Sequence, residues 1–396
     1  MSIKTVNWPN KLDLIELDMI FFIKTFGCIQ NTADSERIKA FYWNKGYKET
    51  DEWRKADLVI INTCIIRESA ENRVYGLINL INQVNSRSQM SDVRSQKKIK
   101  IIVTGCLAGL AYKDKTGKKL AQLKRDFPAV AEFLPIEKIS FKIDPIRDKK
   151  DLALIPISFG CSNFCSYCIV PFARGPEVSR PMEEILKEID EVIKNGFKEV
   201  LLIGQNVNSY GSDKISDVRS QMSENTVVHM GKKRFQSMFH ILLEEVAKKD
   251  LQKISFVSSN PWDFSDELID TIAKYPNIDR LLHLPVQAGD DTVLKNMNRG
   301  YTAKEYLDLV KKIRAKIPEV RFSTDIIIGF PGEDEKAFQN TVDLCKKANF
   351  EIGYLNKYSP RKGTVSAKLY KDEIPQSEKK KRWNVLNNLI NRKNMV

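Results

Sequence analysis

The sequence has no long hydrophobic run. Its longest early apolar stretch, Met19-Ile-Phe-Phe-Ile23, is far too short to span a bilayer. No signal-peptide pattern precedes it, so neither a membrane protein nor an exported one is expected, and a cytoplasmic location is. Cysteine is scarce as well: seven in 396 residues, an odd number without the spacing of a secreted disulfide scaffold. A chain of this length buries enough core to fold without such staples, and its size predicts two domains. Negative charge is the minority sign, with 51 Asp+Glu against 64 Lys+Arg and a formal charge of +13. That excess favours an acidic partner, nucleic acid before others.

What the chain does have is Cys161-Ser-Asn-Phe-Cys165-Ser-Tyr-Cys168, directly after the apolar run Leu154–Gly160. Thiolates are soft ligands suited to iron–sulfur clusters and zinc, and one short loop at a strand end can converge several of them. A four-iron cluster wants four ligands, so three cysteines leave one iron open for a substrate or cofactor. The alternative, a structural zinc site, would usually show a fourth Cys or His nearby. None lies within fifty residues on either side.

The N-terminal region reads as alternating strands and helices. Strands are expected at Ile20–Gly27, Leu58–Asn62 and Ile99–Gly105, each followed by a cysteine: Cys28, Cys64 and Cys106. Helices are expected over residues 32–44 and 69–84, the second with Val74, Leu77, Ile78 and Ile81 on one face. Apolar strands alternating with helices indicate a doubly wound parallel sheet, whose functional edge lies at the carboxyl ends of its strands. Three cysteines at three successive strand ends suggest a second three-thiolate cluster site; the alternative is a coincidence of buried thiols. Cys345, beside Val342 and Leu344 in a helical pattern, reads as core.

Residues 135–150 are mixed and charged and read as the link after an N-terminal α/β domain at 1–134. Alternation resumes over 151–375, with strands expected at 152–159, 199–204, 252–258, 280–286, 321–329 and 350–358. Six such units make a partial (β/α)6 TIM-like barrel with its site at the strand C-termini. Gly204-Gln205-Asn206, Ser258-Ser259-Asn260, Gln287 and Gly329-Phe-Pro-Gly-Glu333 would end strands on that rim. Their small polar groups suit a cofactor with an amine, a carboxylate and a ribose. Two polar stretches, 85–97 and 212–234, share Ser-Asp-Val-Arg-Ser-Gln and read as surface insertions, disordered or nearly so. The tail, 376–396, is a basic helix with Trp383, Leu386, Leu389 and Ile390 on one stripe, expected to pack on the barrel, its basic face free for phosphate.

Taken together, these motifs resemble the methylthiotransferases of the radical S-adenosylmethionine (SAM) superfamily, and among them the MiaB branch. The resemblance rests on Thr25-Phe-Gly-Cys28 with Asn31 and Asp34-Ser-Glu36, on Asn62-Thr-Cys64 and on Gly105-Cys106. It rests further on Cys161–Pro181, Gly204-Gln-Asn-Val-Asn-Ser-Tyr-Gly211, Leu284-Pro-Val-Gln287, Asp325–Glu333 and Tyr358–Thr364. It implies two 4Fe–4S clusters. One, on Cys161, Cys165 and Cys168, would bind SAM and cleave it to a 5′-deoxyadenosyl radical that takes hydrogen from C2 of an N6-isopentenylated adenosine beside the tRNA anticodon. The other, on Cys28, Cys64 and Cys106, would carry the transferred sulfur. Tyr167, Gln205, Asn206, Ser259, Gln287 and Gly329 are the implied SAM contacts. The tRNA anticodon stem-loop is the implied partner. An electron donor such as flavodoxin or ferredoxin and a sulfur donor that the sequence does not identify would serve it. The family usually carries a C-terminal TRAM domain, which is not expected here, and Asn260 stands where a His is usual. The alternatives are a sister methylthiotransferase acting on threonylcarbamoyladenosine or a ribosomal protein, and, in another class, an inactive iron–sulfur RNA-binding relative.

Overall fold

The computed structural model describes residues 19–65, 68–90, 98–139, 143–147, 151–213, 226–229 and 232–392. The chain divides into two compact units, 1–146 and 147–396.

The first unit holds β1 (Ile20–Phe26), α1 (Ile29–Trp43), β2 (Lys48–Glu49), β3 (Leu58–Thr63), α2 (Glu68–Met90), β4 (Lys100–Gly105), α3 (Cys106–Lys113), α4 (Lys118–Asp126) and β5 (Val130–Phe133). The strands form one parallel sheet in the order β2-β1-β3-β4-β5. Every residue of β3 is buried, as suits a β-branched strand covered on both faces. The two strands absent from the sequence reading are the exposed two-residue edge β2 and the short β5. Ile136 and Ile139, inside the stretch expected to be linker, pack with Phe21, Ile38, Tyr42, Leu58 and Ile60. The Ile146 amide still donates to the Glu36 carbonyl at 3.1 Å. Apolar content, not charge density, decided where this unit ends.

The expected disorder over 85–97 needs correcting at its start. Residues 85–90 continue α2, and the Asn85 side chain brackets the backbone of Ile99 with two 3.0 Å bonds. Residues 91–97 lie outside the described residues.

The second unit contains β6 (Leu152–Pro156), β7 (Ser158–Phe159), α5 (Val170–Arg174), β8 (Val178–Ser179), α6 (Met182–Lys194), β9 (Glu199–Ile203), β10 (Thr226–His229), β11 (Lys232–Phe235), α7 (Phe239–Ala247) and β12 (Lys253–Phe256). It continues with α8 (Asp266–Lys274), β13 (Leu281–His283), α9 (Asp291–Asn296), α10 (Ala303–Lys316), β14 (Arg321–Ile328), α11 (Glu335–Ala348), β15 (Ile352–Lys357), α12 (Val365–Leu369) and α13 (Gln376–Ile390). Parallel sheets β6-β9-β12 and β13-β14-β15 are stitched together where Ile254 bonds with Asn277 and Asp279, both at 2.8 Å. All six strands expected for the partial barrel are present, and among the described residues β6 and β15 do not pair, so it is open. Helices cover its outside. In α6, for example, Ile185, Ile189 and Val192 recur at helical spacing and are fully buried.

The expected disorder over 212–234 is also corrected in part. β10 and β11 pair antiparallel in register from Thr226↔Phe235 to His229↔Lys232. The β-branched run Thr226-Val227-Val228 is the strand signal that the polar surroundings obscured. Most of the remainder, 214–225, lies outside the described residues. The tail helix α13 packs on β15 as expected: Leu386 and Ile390 are buried, and Trp383 Nε1 donates to the Leu355 carbonyl at 3.1 Å.

Candidate functional site

In the barrel unit the cysteine loop is closed by a short antiparallel pairing of β7 with β8. Gly160 opens it at φ +69°, and a Cβ there would stand 2.1 Å from the Pro176 carbonyl oxygen, so only glycine fits. The Cys161 amide donates to the Gly175 carbonyl at 3.1 Å, and the Cys168 amide to the Cys165 carbonyl at 2.9 Å. Ser166, between the cysteines, pins the loop to the barrel: its amide donates to the Met297 carbonyl at 2.9 Å, its hydroxyl to the Asn296 carbonyl at 2.7 Å. The Ser366 amide in turn donates to the Ser166 carbonyl at 2.8 Å.

Cys161 is buried, while Cys165 and Cys168 are partly exposed. Burial pushes the Cys161 thiol well up, and the nearby Cys168 and Cys165 add to it. The three sulfurs therefore lie near one another, as ligands of one centre must. Three thiols on one short loop are the donor set that a cuboidal cluster takes, each thiolate on a different iron.

The predicted rim residues all follow the C-terminal ends of barrel strands. Asn206 Nδ2 donates to Asp263 at 2.7 Å, while its Oδ1 is buried without a partner among the described residues. The Ser158 and Ser259 hydroxyls, also buried, have none among those residues either. Unpaired buried oxygens on one rim are what a polar ligand would satisfy. Gln205 is half-buried. Gln287 sits at φ +70°, held by its amide to the Asp325 carbonyl at 2.9 Å. The backbone of Asn260, the position where a His is usual, is clamped by Asn208: the Asn260 amide donates to Oδ1 and its carbonyl accepts from Nδ2, both at 2.7 Å. Gly329 has a packing reason of its own, since a Cβ there would stand 2.5 Å from Lys379 Cγ, and its amide donates to Glu333 at 3.1 Å. Tyr167 packs against the barrel core, and burial holds its phenol well above the usual range.

Sequence reading missed the residues that join this rim. The guanidinium of Arg299 donates to Cys165 Sγ at 3.4 Å and lies over the Trp262 ring at 4.6 Å. His283 Nδ1 accepts from the Ser258 amide at 3.0 Å and its Nε2 meets Asp325 at 3.1 Å. Nothing periodic marks such residues; they sit singly in loops or at strand ends, and only folding brings them to the cysteines.

In the first unit, register pairs Phe26 with Thr63 and Thr63 with Gly105, so three cysteine-bearing strand ends stand level. Cys28 caps α1, Cys106 begins α3, and the Cys64 amide donates to the Phe26 carbonyl at 2.6 Å. Helix N-termini favour thiolate over thiol. A buried amide network fixes the edge. Asn31 Nδ2 donates to Asn62 Oδ1 at 3.0 Å and to the Thr63 carbonyl at 3.1 Å. Asn62 Nδ2 donates back to the Asn31 carbonyl at 2.8 Å, and Asn31 Oδ1 accepts from the Cys28 amide at 3.3 Å. Gly27 is required beneath it, because a Cβ would stand 2.3 Å from Asn31 Oδ1. Three thiol-bearing ends in one frame fit a second cluster.

Residues 155–345 match the Radical SAM superfamily, and residues 20–125 match Uncharacterized protein family UPF0004. The tRNA-2-methylthio-N(6)-dimethylallyladenosine synthase of Thermotoga petrophila is 41% identical over 95% of this chain and 83% of its own length. That of Clostridium botulinum (strain Okra) is 38% identical over 94% of this chain and 81% of its own. The solved structure of the radical S-adenosylmethionine methyltransferase TsrM from Kitasatospora setae, with cobalamin and a 4Fe–4S cluster bound, has a TM-score of 0.55 at 13% identity, covering 89% of this chain and 77% of that one. At that identity the likeness is one of fold. The similarity to the synthases spans both units, and with it the chain belongs to the family of tRNA-2-methylthio-N(6)-dimethylallyladenosine synthases, radical SAM methylthiotransferases.

Proposed function

We propose that the chain methylthiolates C2 of N6-isopentenyladenosine next to the anticodon of tRNA, in the cytoplasm. The observation that carries this reading is the pair of three-cysteine sets, each at the C-terminal strand edge of its own α/β unit. An unactivated aromatic C–H yields to no general base at neutral pH, so bound 4Fe–4S clusters and SAM supply the radical chemistry and the sulfur. Cys161, Cys165 and Cys168 would hold the first cluster, and Cys28, Cys64 and Cys106 the second. Tyr167, Gln205, Asn206, Ser259, Gln287 and Gly329 would line the SAM site; the unpartnered oxygens of Asn206 and Ser259 support that placement.

The protein's own part is to hold and orient. The β7–β8 closure and Ser166 fix the thiols, and the Asn31–Asn62 frame fixes the second set. A flavodoxin or ferredoxin would deliver the electron. Among the described residues no helix is long and apolar enough to cross a membrane.

The test is mass spectrometry of tRNA nucleosides from a methylthiotransferase-deficient bacterium expressing this chain. The 2-methylthio isopentenyl nucleoside is the expected product. Accumulation of isopentenyladenosine alone, from a protein carrying both clusters, would overturn the assignment.

A further inference from the structure

Arg299 is buried at 6% exposure in the loop between α9 and α10, and among the described residues no carboxylate pairs with it. Each of its nitrogens is nonetheless engaged. Nε donates to Tyr301 Oη at 3.0 Å, Nη2 to the Pro285 carbonyl at 3.1 Å, and Nη1 to Cys165 Sγ at 3.4 Å. The guanidinium lies over the adjoining rings of Trp262 at 4.6 Å and Tyr301 at 5.2 Å, whose centroids are 5.7 Å apart, and these contacts hold its orientation. A buried guanidinium facing only neutral groups is expensive, since taking a cation out of water costs several kcal/mol even after relaxation. The missing counter-charge is supplied if Cys165 is the thiolate ligand of an anionic cluster.

We propose that Arg299 is the electrostatic positioning residue of the barrel cluster, holding the Cys165 sulfur by a charge-assisted hydrogen bond and raising the reduction potential of the cluster. This rests on the reading above that Cys161, Cys165 and Cys168 hold a 4Fe–4S cluster. The physical reason is that one-electron reduction adds a negative charge beside a fixed cation in a low-dielectric site. Hydrogen bonds to ligand sulfur act in the same direction. A planar fork seated against two rings suits this better than a flexible ammonium.

The experiment is a redox titration, followed by electron paramagnetic resonance, of the anaerobically reconstituted full chain and its R299K, R299Q and R299M variants. Added SAM perturbs only the cluster that binds it and so identifies the barrel cluster within the two-cluster protein. R299K is expected to stay near the wild-type potential. R299Q and R299M are expected to need a more negative potential, by at least a tenfold fall in the reduced-to-oxidised ratio, about 59 mV for one electron. A wild-type potential in either neutral variant overturns the proposal. Should both neutral variants lose the barrel iron while R299K keeps it, the charge requirement stands; loss from all three means that Arg299 only packs. Failure of the cluster assignment reads differently, as a SAM-sensitive signal that survives C165A.

Discussion

Seven cysteines occupy three kinds of environment, and the residue scale separates them. Cys345 lies in α11 with its thiol pushed up to about 12 by burial alone, so it should stay unalkylated by iodoacetamide in the folded protein, as mass mapping of labelled peptides would show. Cys165→Ala should abolish SAM cleavage while leaving the iron of the N-terminal set in place; normal cleavage in that variant would remove the barrel assignment. Cys64→Ala should do the reverse, cleaving SAM without forming methylthio product. Chromatography of 5′-deoxyadenosine and of digested tRNA reads both. Gly160→Ala should also strip iron from the barrel, although it removes no ligand. Its Cβ would have to occupy space within 2.1 Å of a carbonyl oxygen at a positive φ, and the loop that presents Cys161 would move.

Among elements, α13 is the informative one. Its sequence promises a basic face, yet the fold spends two of those cations inward. Lys379, fully buried, donates to the Tyr358 carbonyl at 3.0 Å and to Asp372 at 2.6 Å. Arg382, 7% exposed at its side chain, pairs with Glu333 at 2.9 Å, itself 2% exposed. Arg382→Met would leave the Glu333 carboxylate buried and unpaired, and should destabilise the barrel by about 3–5 kcal/mol in urea unfolding. Burial raises the Glu333 carboxyl to about 7 against the opposing pull of Arg382 and the Gly329 amide. Between the ordinary carboxylate pKa of about 4.3 and that value the folded chain binds more protons than the unfolded one. That contribution to stability is complete below the lower limit and is lost as pH rises through about 7. Glu333→Gln should flatten the decline over this window; an unchanged pH profile would mean that the carboxyl is ionised throughout.

For the whole molecule, the charge of +13 concerns RNA more than fold. Binding of an anticodon stem-loop should weaken steeply with salt, by about 0.7–0.9 logarithmic units per decade for each phosphate neutralised. Lys380 and Lys381, both exposed, are the α13 cations left for phosphate once Lys379 and Arg382 turn inward. Replacing both by Ala should lower that slope yet change stability by no more than about 0.5 kcal/mol, as surface changes do. A slope equal to wild type would take the tail out of the RNA surface.

The sequence by itself determined the alternation of strands and helices, the two-unit α/β architecture and all six cysteines of the candidate sites. Each is a local signal: a β-branched run buried on both faces, a helical stripe, a thiol directly after a strand. Short elements escaped it, as β2, β5 and the β10–β11 hairpin show, because two to four residues are too few to display a period and their pairing partners complete them. Only the tertiary structure decided that Ile136 and Ile139 belong to the first core, that Gly329 makes room for Lys379, and that Arg299 faces Cys165. The reason is sequence distance. Arg299 stands 134 residues from Cys165 in the chain, and a contact of that separation leaves no periodicity in the residues that make it.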